Sequence, residues 1–291
     1  MIKREQIRIR DPYIFVDEQA KCYYLYGTTD HNVWSGPGTG FDTYRSTDLE
    51  QWDGPYPAFR PEPGFWADHH FWAPEVYFYK DSYYMFASFK SDDKRRATQI
   101  LKADSPLGPF KPHGSKPITP ADWECLDGTL HIEEDGTPWM VFCHEWVQVK
   151  DGKMCAVPLN PDLSEAGGEP VTLFSASEAP WAAAGGDEKE VYVTDGPFLF
   201  RNQEGELLML WSSGSKNGYA IGIARSETGK VAGPWKQDKE TLFPEEGGHG
   251  MLFRSLEGRL MLAMHAPNNQ PDERAVFIEV EEKDGTLRRK A

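Results

Sequence analysis

Asp195-Gly-Pro-Phe-Leu-Phe-Arg-Asn-Gln-Glu-Gly-Glu-Leu-Leu-Met-Leu210 is an acidic residue at a turn, an alternating apolar strand, a tight turn and a second apolar strand. The same unit opens at Asp11 and runs to Tyr26, at Pro74 to Phe86, at Asp127 to Phe142 and at His249 to Ala263. Recurrence at a period of about 50 residues is the mark of a stacked or radial repeat architecture. Short alternating runs bounded by Gly, Asp, Asn and Pro are strand-and-hairpin sequence, and nothing sustains helical periodicity for three turns. Each copy carries its hairpin turn at the same place: Asp17 to Lys21, Lys80 to Ser82, Glu134 to Gly136, Gln203 to Gly205 and Leu256 to Gly258.

A second phrase, a small-residue strand followed by a turn and an aromatic, recurs from Tyr44 to Trp52, Lys102 to Phe110 and Ala224 to Trp235. It supplies a third and a fourth strand per unit. Four-stranded antiparallel units repeated around an axis make a β-propeller. The predicted fold is therefore all-β, a five-bladed β-propeller in one domain over residues 1–291. Pro12, Pro74 and Pro197 sit at the start of the first strands, as expected if these are innermost and present a free edge to the channel. A β-sandwich is the competing architecture, but it does not need five equivalent openings.

Composition narrows the function. Aromatic residues make up 13% of the chain, so a large core can be buried although only 39% of residues are hydrophobic. A formal charge of −15 with no basic stripe argues against a nucleic-acid partner. The start, Met1-Ile-Lys-Arg-Glu-Gln-Ile-Arg8, has no apolar run behind its positive charges, and no segment approaches a membrane span. A cytoplasmic protein without a membrane partner is expected. Cys22, Cys125, Cys143 and Cys155 are scattered, without metal-site or redox spacing, and read as reduced structural thiols. The oligomeric state is open at this level.

Asp-Gly and Asp-Pro are common turn dipeptides, and Asp53, Asp135, Asp151 and Asp284 also precede glycine. Asp11, Asp127 and Asp195 differ in position, because they open the first strand of a unit and should face a common axis. Three carboxylates in one desolvated pocket cannot all keep ordinary pKa values: like charges raise at least one. An acid and a base result, which is what cleavage of a glycosidic bond requires. Metal-dependent hydrolysis would normally add His or Cys ligands at recognisable spacing, and only His249 occupies an equivalent opening position. Trp66, Phe71 and Trp72 precede the second unit, and Trp34, Trp146 and Trp181 fall in loops expected on the axial side. Aromatic faces there would pack on sugar C–H faces, with Trp72 the first choice, although each could equally fill core.

With these residues in place, the chain resembles glycoside hydrolase family 43 over essentially its full length. The carrying motifs are Arg10-Asp-Pro12, Phe71-Trp-Ala-Pro-Glu75, Leu126-Asp-Gly128, Val193-Thr-Asp-Gly-Pro197 and Gly247-Gly-His-Gly250. The resemblance implies an inverting hydrolase of arabinose- or xylose-containing glycans, with Asp11 as general base, Asp127 tuning the acid, and Asp195 in the place of the acid. It needs no cofactor, and it implies that His249 stands near the axis, where a structural Ca2+ could be met through water. The family usually has Glu where this chain has Asp195, one methylene shorter, so Glu145 is a substitute acid and Glu75 a candidate substrate contact. The expected activity is exo-release of an α-L-arabinofuranosyl or β-D-xylosyl unit from an oligosaccharide or polysaccharide. Inversion would place the two working carboxyls roughly 6.5–9.5 Å apart. The alternatives are a carbohydrate-binding propeller that has lost catalysis, and a related propeller glycosidase or phosphorylase acting on another sugar.

Overall fold

The computed structural model of the protein describes residues 1–185 and 190–290. Five antiparallel sheets follow one another along the chain. The first blade uses Arg10–Asp17, Cys22–Thr28, Phe41–Ser46 and Gln51–Phe59, and gains Ile2–Lys3 at its outer edge. The second uses His69–Tyr79, Ser82–Ser91, Lys94–Ala103 and Lys111–Pro112. The third uses Cys125–Ile132, Pro138–His144, Lys153–Pro158 and Val171–Ser175. The fourth uses Asp195–Arg201, Leu207–Ser215, Gly218–Ser226 and Trp235–Gln237, and the fifth Gly248–Arg254, Leu260–Ala266, Arg274–Lys283 and Thr286–Arg289. The first long strand of each blade touches its counterparts in the neighbouring blades, so these are the inner strands of a five-bladed propeller. No described helix is long and apolar enough to cross a membrane.

The core lies between blades rather than in one central layer. Every residue of Cys22–Thr28 is buried, because a second strand is covered by neighbouring blades on both faces. This explains why Tyr23-Tyr-Leu-Tyr26 is a continuous apolar run and not an alternating one. The bulkiest fully buried side chains, among them Trp52, Trp211, Phe59 and Phe89, fill these interfaces. Phe71 belongs to them: it packs 5.0 Å from Phe89 and is a core residue, not a sugar platform. Trp181 likewise packs 4.7 Å from Trp211. Gly222 makes room for it, since a Cβ there would lie 2.2 Å from the indole. All four cysteines are buried free thiols.

The inner strands share a device that the sequence repeat had out of phase by one residue in two blades. Each has a β-bulge near its start. At each bulge one residue takes a left-handed backbone: Asp11 (φ 51°), Ala73 (46°), Asp127 (57°), Gly196 (51°) and His249 (53°). The structural equivalents of Asp11 are thus Ala73 and Gly196, not Pro74 and Asp195. The repeat pattern follows the apolar alternation after the bulge, and the inserted residue is invisible to it.

Candidate active site

The bulge N–H groups are satisfied across blades. Ala73 donates to Thr28 Oγ1 at 2.8 Å, Asp127 to Ser88 Oγ at 2.9 Å, His249 to Ser212 Oγ at 2.8 Å and Asp11 to His265 Nδ1 at 3.1 Å. Each acceptor lies in the last four residues of the second strand of the preceding blade, paired opposite the residue just before that blade's own bulge. In the third blade this position is Cys143, a weak acceptor. The Gly196 N–H turns instead to the carboxylate of Asp127, at 2.9 Å to Oδ2. One departure from the seam therefore fixes a carboxylate at the hub.

At the same end of the axis, residues from all five blades enclose a cavity of about 820 Å3. Asp11, Asp127, Asp195 and His249 line it together, with Trp34, Trp72, Glu145 and Trp146 in its wall. A hollow of about 910 Å3 between the second and third blades is slightly larger and holds Trp66 but none of the hub carboxylates. Chemistry rather than size identifies the axial cavity as the site. The bulge does the positioning: the left-handed turn at Asp11 and Asp127 aims their side chains at the axis, at a backbone cost that recurs at functional sites.

The carboxylates are not equivalent. Burial pushes Asp11 up, but the imidazolium of His249, 3.2 Å away, outweighs it and holds the carboxyl well below the usual range. Thr28 Oγ1 donates a further bond of 2.6 Å to Asp11. Burial pushes Asp195 up to about 7, and the Asp127 charge adds to this, while His249 and the Tyr219 hydroxyl, donating at 3.0 Å, work against it. Asp127 is also raised, first by burial, with His249 opposing. His249 Nδ1 stands 3.6 Å from Asp127 Oδ2. Burial would lower His249, but Asp11 and Asp127 raise it to about 10, so it is the buried cation of the hub. His265 is its opposite: burial lowers it to about 4. Its Nδ1 accepts from Asp11 N–H, so Nε2 carries the proton and donates to Asn268 Oδ1 at 3.1 Å. Near neutral pH the hub thus holds an ionised Asp11 beside a largely protonatable Asp195, the pairing needed to activate water and protonate a leaving oxygen.

Of two further expected residues, one falls elsewhere and one lines the cavity with a partner of its own. Glu75 does not border the cavity; it is buried against the hydroxyl of Tyr77, which lies 2.8 Å from Thr129 Oγ1. Its carboxyl is pushed up to about 7, chiefly by burial. An inner-strand residue two positions past the bulge points between blades, away from substrate. Glu145 does line the cavity, but it accepts from Arg96 Nη1. Burial raises the Glu145 carboxyl above its ordinary range and outweighs the guanidinium, which favours the charged form, so Glu145 both anchors Arg96 and remains a candidate acid. Arg96 in turn lies 4.1 Å over the Trp72 ring and bonds His70 Nδ1 at 2.8 Å, while His70 stacks on Trp72 at 4.5 Å. Trp72 N–H donates to Val33 O at 2.7 Å. The indole chosen from sequence is thus clamped as one wall of the cavity, with Trp34 edge-on to it at 5.3 Å and 52% exposed.

Tyr219, His265, Thr28 and Arg96 escaped the sequence reading. Thr28 and His265 were findable, because they hold the same place near the end of a second strand as Ser88, Cys143 and Ser212. Arg96 and Tyr219 carry no comparable mark. As for a metal, no group of three or more His, Cys, Asp or Glu side chains among the described residues is arranged to hold an ion. His249 Nδ1, charged and turned toward two carboxylates, does not fit as a direct ligand.

The class of protein is a five-bladed propeller whose axial cavity gathers three aspartates and a histidine. The chain matches Glycosyl hydrolases family 43 over residues 6–286 and belongs to that family. It is similar to an endo-arabinase from Bacteroides thetaiotaomicron VPI-5482, at 44% identity and a TM-score of 0.91, covering 98% of this chain and 99% of that one. It is also similar to a thermostable family-43 glycoside hydrolase, at 25% identity and 0.82, covering 97% and 93%. An exo-1,5-alpha-L-arabinanase from a bovine ruminal metagenomic library shares the fold at 20% identity and 0.69, covering 98% and 97%. No curated protein matches the chain. It is a glycoside hydrolase.

Proposed function

We propose that the protein hydrolyses α-L-arabinofuranosyl linkages within an arabinan-type chain, by single displacement with inversion. The observation that carries the mechanism is the split between Asp11, held ionised by His249, and Asp195, raised to about 7. Asp11 takes a proton from water as it attacks the anomeric carbon; Asp195 gives its proton to the departing oxygen. Asp127 acts through Asp195, keeping its proton by charge, and His249 balances the ionised pair. Trp72 and Trp34 offer the aromatic faces for the sugar, and Arg96, Glu145 and His70 keep the first of these rigid.

The motifs alone favoured release of a single terminal pentose. Internal attack is supported by the likeness to a protein described as an endo-arabinase and by a second hollow that adjoins the cavity at Trp34, where a chain can continue. Early products from a linear arabino-oligosaccharide report the position of the cut. A spread of shorter oligomers is expected, and monosaccharide alone would restore the terminal reading. NMR of the first-formed anomer should show inversion. Asp11→Asn should lower kcat on every substrate by on the order of a thousandfold. Asp195→Asn should do so on arabinan but far less on a nitrophenyl arabinofuranoside, whose leaving group departs without a proton. Binding without turnover in the unaltered protein would instead favour a carbohydrate-binding propeller, the outcome that the short Asp195 side chain would explain.

A further inference from the structure

We propose that the hollow around Trp66, between the second and third blades, is a distal subsite for the same neutral pentose chain whose scissile bond lies at the hub. The proposal rests on the arabinan reading and extends it toward the rim. Three hollows adjoin in a row. Trp34 borders both the axial cavity and a hollow of about 430 Å3 that contains His69 and His70. Asp92 borders both that hollow and the one of about 910 Å3 that contains Trp66. A polymer leaving the hub over the exposed edge of Trp34 has a continuous course from axis to rim.

The far end is built for a sugar. Trp66 N–H donates to Gln99 Oε1 at 3.1 Å, which fixes the indole plane, and the ring leans on Phe65 at 6.0 Å and Phe89 at 6.3 Å. Its remaining surface is only half-buried and faces the hollow. The Lys94 ammonium stands 5.9 Å from the ring centroid, so an apolar platform and a hydrogen-bond donor lie side by side. A pentose ring has one apolar C–H face and a rim of hydroxyls that match the pair. The charge favours a neutral chain over a uronate or phosphate. Lys90 and Arg95 are both engaged by Glu124, at 2.8 and 3.2 Å, and four basic side chains in the lining face five acidic ones.

The test compares the unaltered protein, Trp66→Ala and Lys94→Ala on linear arabino-oligosaccharides of increasing length and on nitrophenyl α-L-arabinofuranoside. Trp66→Ala is expected to raise KM on the longest chains by about tenfold, as loss of one stacked ring would. Lys94→Ala should raise it less, and both should leave kcat/KM on the nitrophenyl glycoside and the disaccharide unchanged, which also reports an intact fold. Equal losses on short and long substrates, or no loss on long ones, overturn the subsite. Turnover of arabinan by the unaltered protein reports separately on the proposed function. Should that turnover be absent, titration of the same oligosaccharides into the unaltered and Trp66→Ala proteins decides: affinity that grows with length and falls in the variant supports the subsite. Absence of binding, or binding indifferent to Trp66, ends it.

Discussion

At the scale of single residues, the hub separates two chemically identical side chains by their neighbours. Asp11 and Asp195 differ because one faces a buried imidazolium and the other faces Asp127 and a phenol. The pH dependence follows from the signs. As the proposed acid, Asp195 would act while protonated, so activity should be full below about 7 and be lost as pH rises through that value, which a pH profile of kcat/KM checks. Asp11 is ionised throughout the neutral range, so as the proposed base it should set no limb there. Tyr219 donates to Asp195 and favours its charged form; Tyr219→Phe should therefore raise the Asp195 pKa and move the alkaline limb of kcat/KM to higher pH. A limb that stays in place, or moves down, would assign the titration to another group. Asp11, Asp127 and His249 were legible as site candidates because each occupies a special turn of a repeat. The Arg96 clamp on Trp72 was not, because Arg96 meets His70 and Trp72 across the second blade and Glu145 from the third, contacts that no local pattern announces.

At the scale of the strand, the bulge is the functional unit. It inserts one residue in a left-handed conformation, aims that side chain or its neighbour at the axis, and hands its N–H to the preceding blade. Gly196 meets this demand most tightly: its φ is 51° and a Cβ would lie 2.8 Å from the His249 ring. Gly196→Ala should cost about 1–3 kcal/mol of stability and depress activity together, since both the backbone strain and the displaced imidazole are felt at the hub. Denaturant unfolding alongside kcat measures both; a stable, fully active variant would show that the turn tolerates a side chain. The strands themselves were readable from alternation and turns. The one-residue offset at Pro74 and Asp195 was not, because a bulge changes register without changing the apolar pattern that follows it.

At the scale of the molecule, the ring must close between its two ends, and no blade is shared between them. The join is made by the segment before the first inner strand: Ile9 N–H donates to Glu273 O at 3.4 Å, and Arg274 Nε donates to Glu5 O at 2.8 Å. The fully buried Glu273 carboxylate meets Arg8 at 3.2 Å and Arg10 at 3.9 Å. Glu273→Ala would leave two largely buried guanidiniums without their anion and should destabilise the protein by about 3–5 kcal/mol. Thermal unfolding compared with Glu273→Gln, which keeps the shape and loses the charge, would show whether the pair or the packing closes the ring.

The sequence alone determined what is periodic and local: five strand-and-hairpin units, an acidic residue at the turn of three of them, and an aromatic content sufficient to fill the spaces between blades. Those features are set by alternation and turn chemistry, which each segment carries within itself. Only the tertiary structure decided which carboxylate is ionised, that Glu75 sits against Tyr77 while Glu145 faces Arg96, and that Cys143 breaks the seam and so turns Gly196 toward Asp127. The reason is physical: a pKa, an ion pair or a cross-blade hydrogen bond depends on distances between residues far apart in the chain, and closing the ring sets those distances.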